Sequence, residues 1–280
     1  MVIDIHTHYI DYETEMTAVI KADIARCGAA EDAWKHCTGN YVEATTAADI
    51  AFIYGIRAKA TGWLSDNARI ATFARNQNPG RYVFVASVDP MEDGFMDQLI
   101  YAHLELGAKM LKLCPIYQGL HPHDEKYRSI YTYCQKHNIP IITHMATTFA
   151  SGVPLEYARP VLMDRIACEY PRLKIILTHL GHPWEGETIA IIRKQPNVYA
   201  DISALYYRPW QFYNSMRLLE EYGAQDKVFF GSDYPATTTA DSLAGVRNVN
   251  AAVSGTALPP VSNEVIEGII YRNPIDVLGI

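Results

Sequence analysis

No stretch of the 280-residue chain is apolar over the roughly 20 residues that a bilayer-spanning helix needs. The first residues likewise lack a basic segment followed by an apolar core. Neither a membrane partner nor a secretory leader is expected, and the chain reads as cytoplasmic. Cys-x-x-Cys is missing too: the five cysteines, Cys27, Cys37, Cys114, Cys134 and Cys168, are odd in number and scattered. That pattern argues against a disulfide framework or a thiolate zinc site and suits free thiols. Dense Lys or Arg runs are lacking and the formal net charge is −7, so nucleic acid is not an expected partner. No Gly/Ser-rich or low-complexity linker divides the chain, and residues 1–280 are expected to form one domain.

What the chain has is a 49% hydrophobic composition, enough for one large core, distributed in a repeating order. Eight short β-branched or aromatic runs read as strands: Val2–His8, Ile50–Ile56, Tyr82–Val88, Lys109–Cys114, Pro140–Met145, Lys174–His179, Val198–Ser203 and Val228–Asp233. Between them lie helix-length segments, among them Asn67–Gln77, Phe95–Leu106, Lys126–His137, Leu155–Glu169 and Trp210–Tyr222. Such alternation implies parallel strands with right-handed crossovers. Turn signals such as Asn78-Pro79-Gly80 and Gln195-Pro196-Asn197 fall where new strands should begin. Their regular recurrence points to an α/β fold of (β/α)8 TIM-barrel type. The first connection, residues 9–49, is longer than the rest and is expected to be a helical insertion or lid. A helix near Ala240–Ala252, a Pro259-Pro260 break and a C-terminal helix within 263–280 close the chain.

The first strand carries the first chemical signal. Side chains at i and i+2 of a strand share a face, so Asp4, His6 and His8 are expected together, with Ile3, Ile5 and Thr7 opposite. Paired imidazoles at a strand end suit a divalent cation such as zinc. Taken alone, His-x-His also arises on ordinary strands. Its weight comes from the other runs: the fifth ends in Thr143-His144, the sixth in Thr178-His179 and the eighth in Ser232-Asp233. In such barrels the functional groups gather at the C-terminal strand ends, and ten histidines placed at random would seldom terminate several apolar runs there. A hydrogen-bonded core histidine explains either of His144 and His179 singly, and a helix cap explains Asp233. Together, a metal site is the better reading.

These residues, His6-Thr7-His8, His144, His179 with Gly181, and Gly231-Ser232-Asp233-Tyr234-Pro235, resemble the amidohydrolase superfamily. The likeness is to its amidohydrolase-2 branch of lactone hydrolases and nonoxidative decarboxylases, the aminocarboxymuconate semialdehyde decarboxylase-like enzymes. Gly107–Leu113 and the closing Tyr271–Leu278 also look like this branch. The resemblance implies one divalent metal, zinc first and manganese second, held by His6, His8, His144 and Asp233. It implies His179 beside the metal-bound water, with Asp233 and His179 catalytic. A carboxylated Lys112 bridging two metals is a less favoured variant of the same resemblance. An unmodified Lys112, Arg57, Arg208 and the loop residue His182 are candidate substrate contacts; guanidinium in particular offers a planar fork for a carboxylate. Trp184 and Tyr206, with Tyr207 and Trp210, could line a pocket for a flat ring. His121-Pro122-His123 follows no strand and reads as loop.

The expected function is a metal-dependent hydrolase, with metal-activated water attacking a small carboxylate-bearing lactone, ester or amide. A nonoxidative decarboxylase of a small aromatic or unsaturated acid is the alternative within the same ligand set. A non-catalytic metal- or ligand-binding barrel is the alternative of another class. The expected partner is a small organic acid, and a homo-oligomer stays open.

Overall fold

The computed structural model describes residues 1–280. Eight parallel strands follow one another in chain order around one sheet: β1 (Ile3–His8), β2 (Ile50–Tyr54), β3 (Tyr82–Ser87), β4 (Met110–Leu113), β5 (Ile141–Thr143), β6 (Ile175–Leu177), β7 (Val198–Asp201) and β8 (Val228–Phe229). The sheet returns on itself. The Ile5 amide donates to the Phe230 carbonyl at 3.1 Å, the Asp233 amide to His6 at 2.8 Å and the His8 amide to Tyr234 at 2.8 Å. Closure removes the free edges that an open sheet leaves, and the TIM-barrel expectation stands.

Side chains sort into two layers. Ile3, Ile5, Phe52, Val85, Ile142 and Phe229 fill the barrel interior, joined by Leu278 from the short last helix, Pro274–Leu278. Alternate residues such as Ala51, Ile53, Leu111 and Ile141 face the surrounding helices. Those helices begin where the sequence offers a cap: Asp66 accepts from the amides of Ala68 and Arg69 to start Asn67–Asn76. Two expected helices are broken; the one near Ala240–Ala252 runs as Thr239–Arg247 followed by a 3-10 turn, Val249–Val253. Leu155–Glu169 becomes a 3-10 turn, Leu155–Ala158, and a helix, Leu162–Glu169, because Pro160 lacks an amide proton and restricts the residue before it. An unexpected hairpin, Arg57–Ala58 against Trp63–Leu64, follows β2.

The insertion folds into four short helices, Tyr12–Glu15, Ala18–Cys27, Glu31–Lys35 and Tyr41–Ala44. It reaches across the barrel mouth to the loop after β5. There Asp23 Oδ2 accepts from the Ser151 amide at 2.8 Å and its hydroxyl at 3.1 Å, and Arg26 donates to the Phe149 carbonyl at 2.7 Å. No helix is long and apolar enough to cross a membrane.

The first strand departs from simple alternation. Asp4 pairs with Ala51 but Thr7 with Ile53, three steps on β1 against two on β2, which is a β-bulge. Ile3 and Ile5 point into the interior, and after the extra residue His6 and His8 do so as well. Asp4 therefore does not share their face, as strict alternation had it. It turns outward, accepting from the Ser232 amide at 2.9 Å and the Thr239 hydroxyl at 2.7 Å.

Candidate metal centre

The bulge delivers His6 and His8 side by side above the apolar plug. His6 Nε2 lies 3.1 Å and His8 Nε2 3.3 Å from Asp233 Oδ1. Gly231 makes the approach of β8 to β1 feasible, since a Cβ there would sit 2.7 Å from the His6 Cβ. Asp233 and His179 both adopt left-handed backbone, at φ 65° and 56°, a conformation that costs about 1–3 kcal/mol in a non-glycine residue. The Asp233 amide bond to His6 fixes the first, and the His179 amide donating to Asp201 Oδ1 at 3.0 Å fixes the second.

Charges follow from burial and neighbours. Burial pushes His8 and His179 down to about 4 and His144 well below its ordinary value, with His179 and Lys112 adding to the effect at His144. Burial and Lys112 also oppose charge on His6, but the Asp201 and Asp233 carboxylates prevail and raise it. Burial alone would raise Asp233; His179 and His6 outweigh it and hold the carboxyl well below its usual range. Asp233 is an anion among mostly neutral imidazoles.

His6, His179 and Asp233 place donor atoms within 4.8 Å of one another, the one such group in the chain. Its composition differs in detail from the expected set: His179 belongs to the compact group, while His8 and His144 each join through one member. His144 Nδ1 lies 3.3 Å from His179 Nε2. The outer nitrogens decide the protons. His144 Nε2 is 3.1 Å from the Thr147 carbonyl, and His179 Nδ1 is 3.4 Å from the Ser203 carbonyl. A carbonyl only accepts, so hydrogen on both outer nitrogens would satisfy these contacts and would leave both inner nitrogens bare. Two lone pairs facing at 3.3 Å repel unless a cation lies between or beside them. His6 Nε2, buried and without an aligned hydrogen bond, offers a third. Neutral imidazoles with one carboxylate are the donor chemistry of zinc and its divalent neighbours, so the residues fit such an ion.

A cavity of about 800 Å³ opens from this centre to the insertion, walled by Trp34, Tyr117, Phe149, Tyr206 and Tyr207 with Thr147, His182 and Arg208. Arg208 lies over the Tyr207 ring at 4.5 Å and donates to the Ala204 carbonyl at 2.8 Å. His182 Nδ1 is 2.8 Å from Glu185. The Tyr206 hydroxyl donates to the Gly231 carbonyl. Three expected substrate contacts lie off this wall. Lys112 is buried in the barrel interior, its ammonium unpartnered and 5.2 Å from the Tyr54 ring that packs against His6 and His8. Arg57, in the hairpin, does not line the cavity; it pairs with Glu92 at 2.6 Å and donates to the Ser65 carbonyl at 3.0 Å. Trp184 packs on the outer core under Arg159.

Two buried residues of the centre lay outside the sequence reading, Asp201 and Ser203. Asp201 Oδ2 lies 3.0 Å from His6 Nδ1, and the Ser203 hydroxyl lies 2.8 Å from His179 Nδ1. A signal existed: Asp201-Ile202-Ser203 ends the seventh apolar run at the same end as the other polar groups.

No curated protein sequence matches this chain significantly. Among solved structures it resembles an uncharacterized TIM-barrel protein from Bordetella bronchiseptica (18% identity, 99% of this chain and 98% of that one, TM-score 0.74). It also resembles a probable 2-pyrone-4,6-dicarboxylic acid hydrolase from Acinetobacter baumannii with citric acid bound (16% identity, 100% and 99%, TM-score 0.64). A third is 5-carboxyvanillate decarboxylase from Novosphingobium aromaticivorans, complexed with manganese and a substituted nitrobenzoic acid (16% identity, 100% and 96%, TM-score 0.63). At these identities the likeness is one of fold. The family model for amidohydrolases matches residues 3–280, and the chain belongs to that family.

Proposed function

We propose that the protein is a metal-dependent hydrolase acting on a small lactone, ester or amide that carries a carboxylate. The observation that carries this reading is the convergence of His6, His179 and Asp233, with His144 Nδ1 3.3 Å from His179 Nε2. His6, His8, His144 and Asp233 would hold one divalent cation, zinc by donor type, with manganese second as in the decarboxylase neighbour, and His179 would stand beside it. When bound, the ion supplies Lewis-acid polarisation of a carbonyl and brings the pKa of water to about 7.

The chain's own groups do the rest. Asp233 is held as an anion and accepts a proton from the attacking water, then returns it to the leaving oxygen or nitrogen. His179 orients that water through its bare Nε2. Arg208 takes the carboxylate from the cavity wall, and Trp34, Tyr117 and Phe149 cover the apolar part and exclude bulk water. Small organic acids of the cytoplasm are the substrates this arrangement suits.

The test is turnover of metal-replete protein over a panel of lactones, esters, amides and aromatic acids, with acid and carbon dioxide release measured separately. Acid release that stops on chelation and returns with zinc or manganese is expected. Release of carbon dioxide instead would convert the reading to a decarboxylase, and no turnover with no stoichiometric metal would end it.

A further inference from the structure

We propose that Asp201 and Ser203, at the end of β7, are positioning residues that hold hydrogen on Nδ1 of both His6 and His179 and so present both Nε2 atoms to the centre. The inference rests on the reading of this cluster as a metal site, and it follows from counting protons around two side chains that are both buried.

Asp201 Oδ1 receives three donors: the His179 amide at 3.0 Å, the Ser203 amide at 3.0 Å and the Ser203 hydroxyl. Three donors on one oxygen is the pattern of a carboxylate, so Oδ2 is the oxygen left to accept from His6 Nδ1, 3.0 Å away. Ser203 has one hydroxyl proton, and Asp201 takes it. Toward the imidazoles the Ser203 oxygen is therefore an acceptor only, 2.8 Å from His179 Nδ1 and 3.1 Å from His6 Nδ1. The opposite tautomer of His179 would set the Nδ1 lone pair against the lone pairs of both the hydroxyl and the Ser203 carbonyl. One serine and one aspartate thus set the direction of two rings, one on β1 and one just after β6, in the way that outer hydrogen-bond partners of metal-bound histidines fix ring orientation and tautomer.

Histidine ¹⁵N spectra of the metal-free protein read this directly. The wild type is expected to show His179 with hydrogen on Nδ1. Ser203→Ala, a substitution that only removes an oxygen, is expected to move His179 toward the Nε2–H tautomer and to weaken Zn²⁺ binding, titrated with the metal alone, about 10- to 100-fold. A serine that merely packs would change neither the tautomer nor the affinity. Wild-type His179 with hydrogen on Nε2 overturns the proposal without any variant, and so does a Ser203→Ala spectrum identical to wild type. Wild-type protein that shows the Nδ1–H tautomer yet takes up no divalent metal supports the assignment and overturns the metal reading instead.

Discussion

Asp233 touches both histidines of β1 with a single oxygen while its backbone stays in the left-handed region, so its charge and its position are separable. Asp233→Asn keeps the shape and removes the anion; kcat/KM on the substrate found by the panel is expected to fall by about 10²- to 10⁴-fold, the usual range for losing a positioned base. Gly231→Ala tests position alone. The added methyl would meet the His6 Cβ at 2.7 Å, so divalent metal affinity should fall at least about tenfold in calorimetric titration, with a lower melting temperature. At this scale His6, His8, His144, His179 and Asp233 were legible because each ends an apolar run. Arg57 was misleading for a physical reason: its partner Glu92 lies 35 residues on, and no local pattern announces that pairing. Asp4 was misassigned because strict alternation has no term for one extra residue.

Between the elements, the insertion and the loop after β5 are joined chiefly by Asp23, Arg26 and their bonds to residues 149–151. Asp23→Ala should loosen this strap, speeding amide hydrogen exchange in residues 144–153 and raising KM more than it lowers kcat. The Ser151 amide, then the Ser151 and Arg26 side chains against some burial, hold the Asp23 carboxyl below its ordinary value. A depressed carboxyl contributes stability that is complete above its unfolded pKa of about 3.9 and is lost as pH falls through the lower folded value. Melting temperature between pH 5 and 2.5 should therefore fall less steeply in Asp23→Asn than in the wild type; equal slopes would show that the strap carries no charge-dependent stability. The length of the first connection made an insertion legible. Its contacts were not, because they join segments more than a hundred residues apart.

At the scale of the whole barrel, packing and chemistry occupy different ends. Leu278 closes the interior from the end opposite the centre, and Leu278→Ala should lower unfolding free energy by about 2–5 kcal/mol in urea titration while leaving KM unchanged. A metal held by the candidate centre would act from the other end: at 100 times its dissociation constant a bound ion adds about 2.7 kcal/mol, so chelation should lower the melting temperature and zinc or manganese restore it. The eightfold alternation was legible because strand and helix periods differ, whereas closure depends on bonds between the first and last strands that no window of sequence contains. The bulge in β1 links the two ends of the barrel. It makes one strand into two segments of opposite parity, a packing segment ending at Ile5 and a segment starting at His6 that faces the candidate centre. Deleting a single residue there would leave the lower barrel its greasy plug and turn both imidazoles out toward the helices. The catalytic capacity of this chain thus hangs on a count of residues as much as on their kind, and an insertion or deletion of one residue is a sharper lesion in β1 than most substitutions.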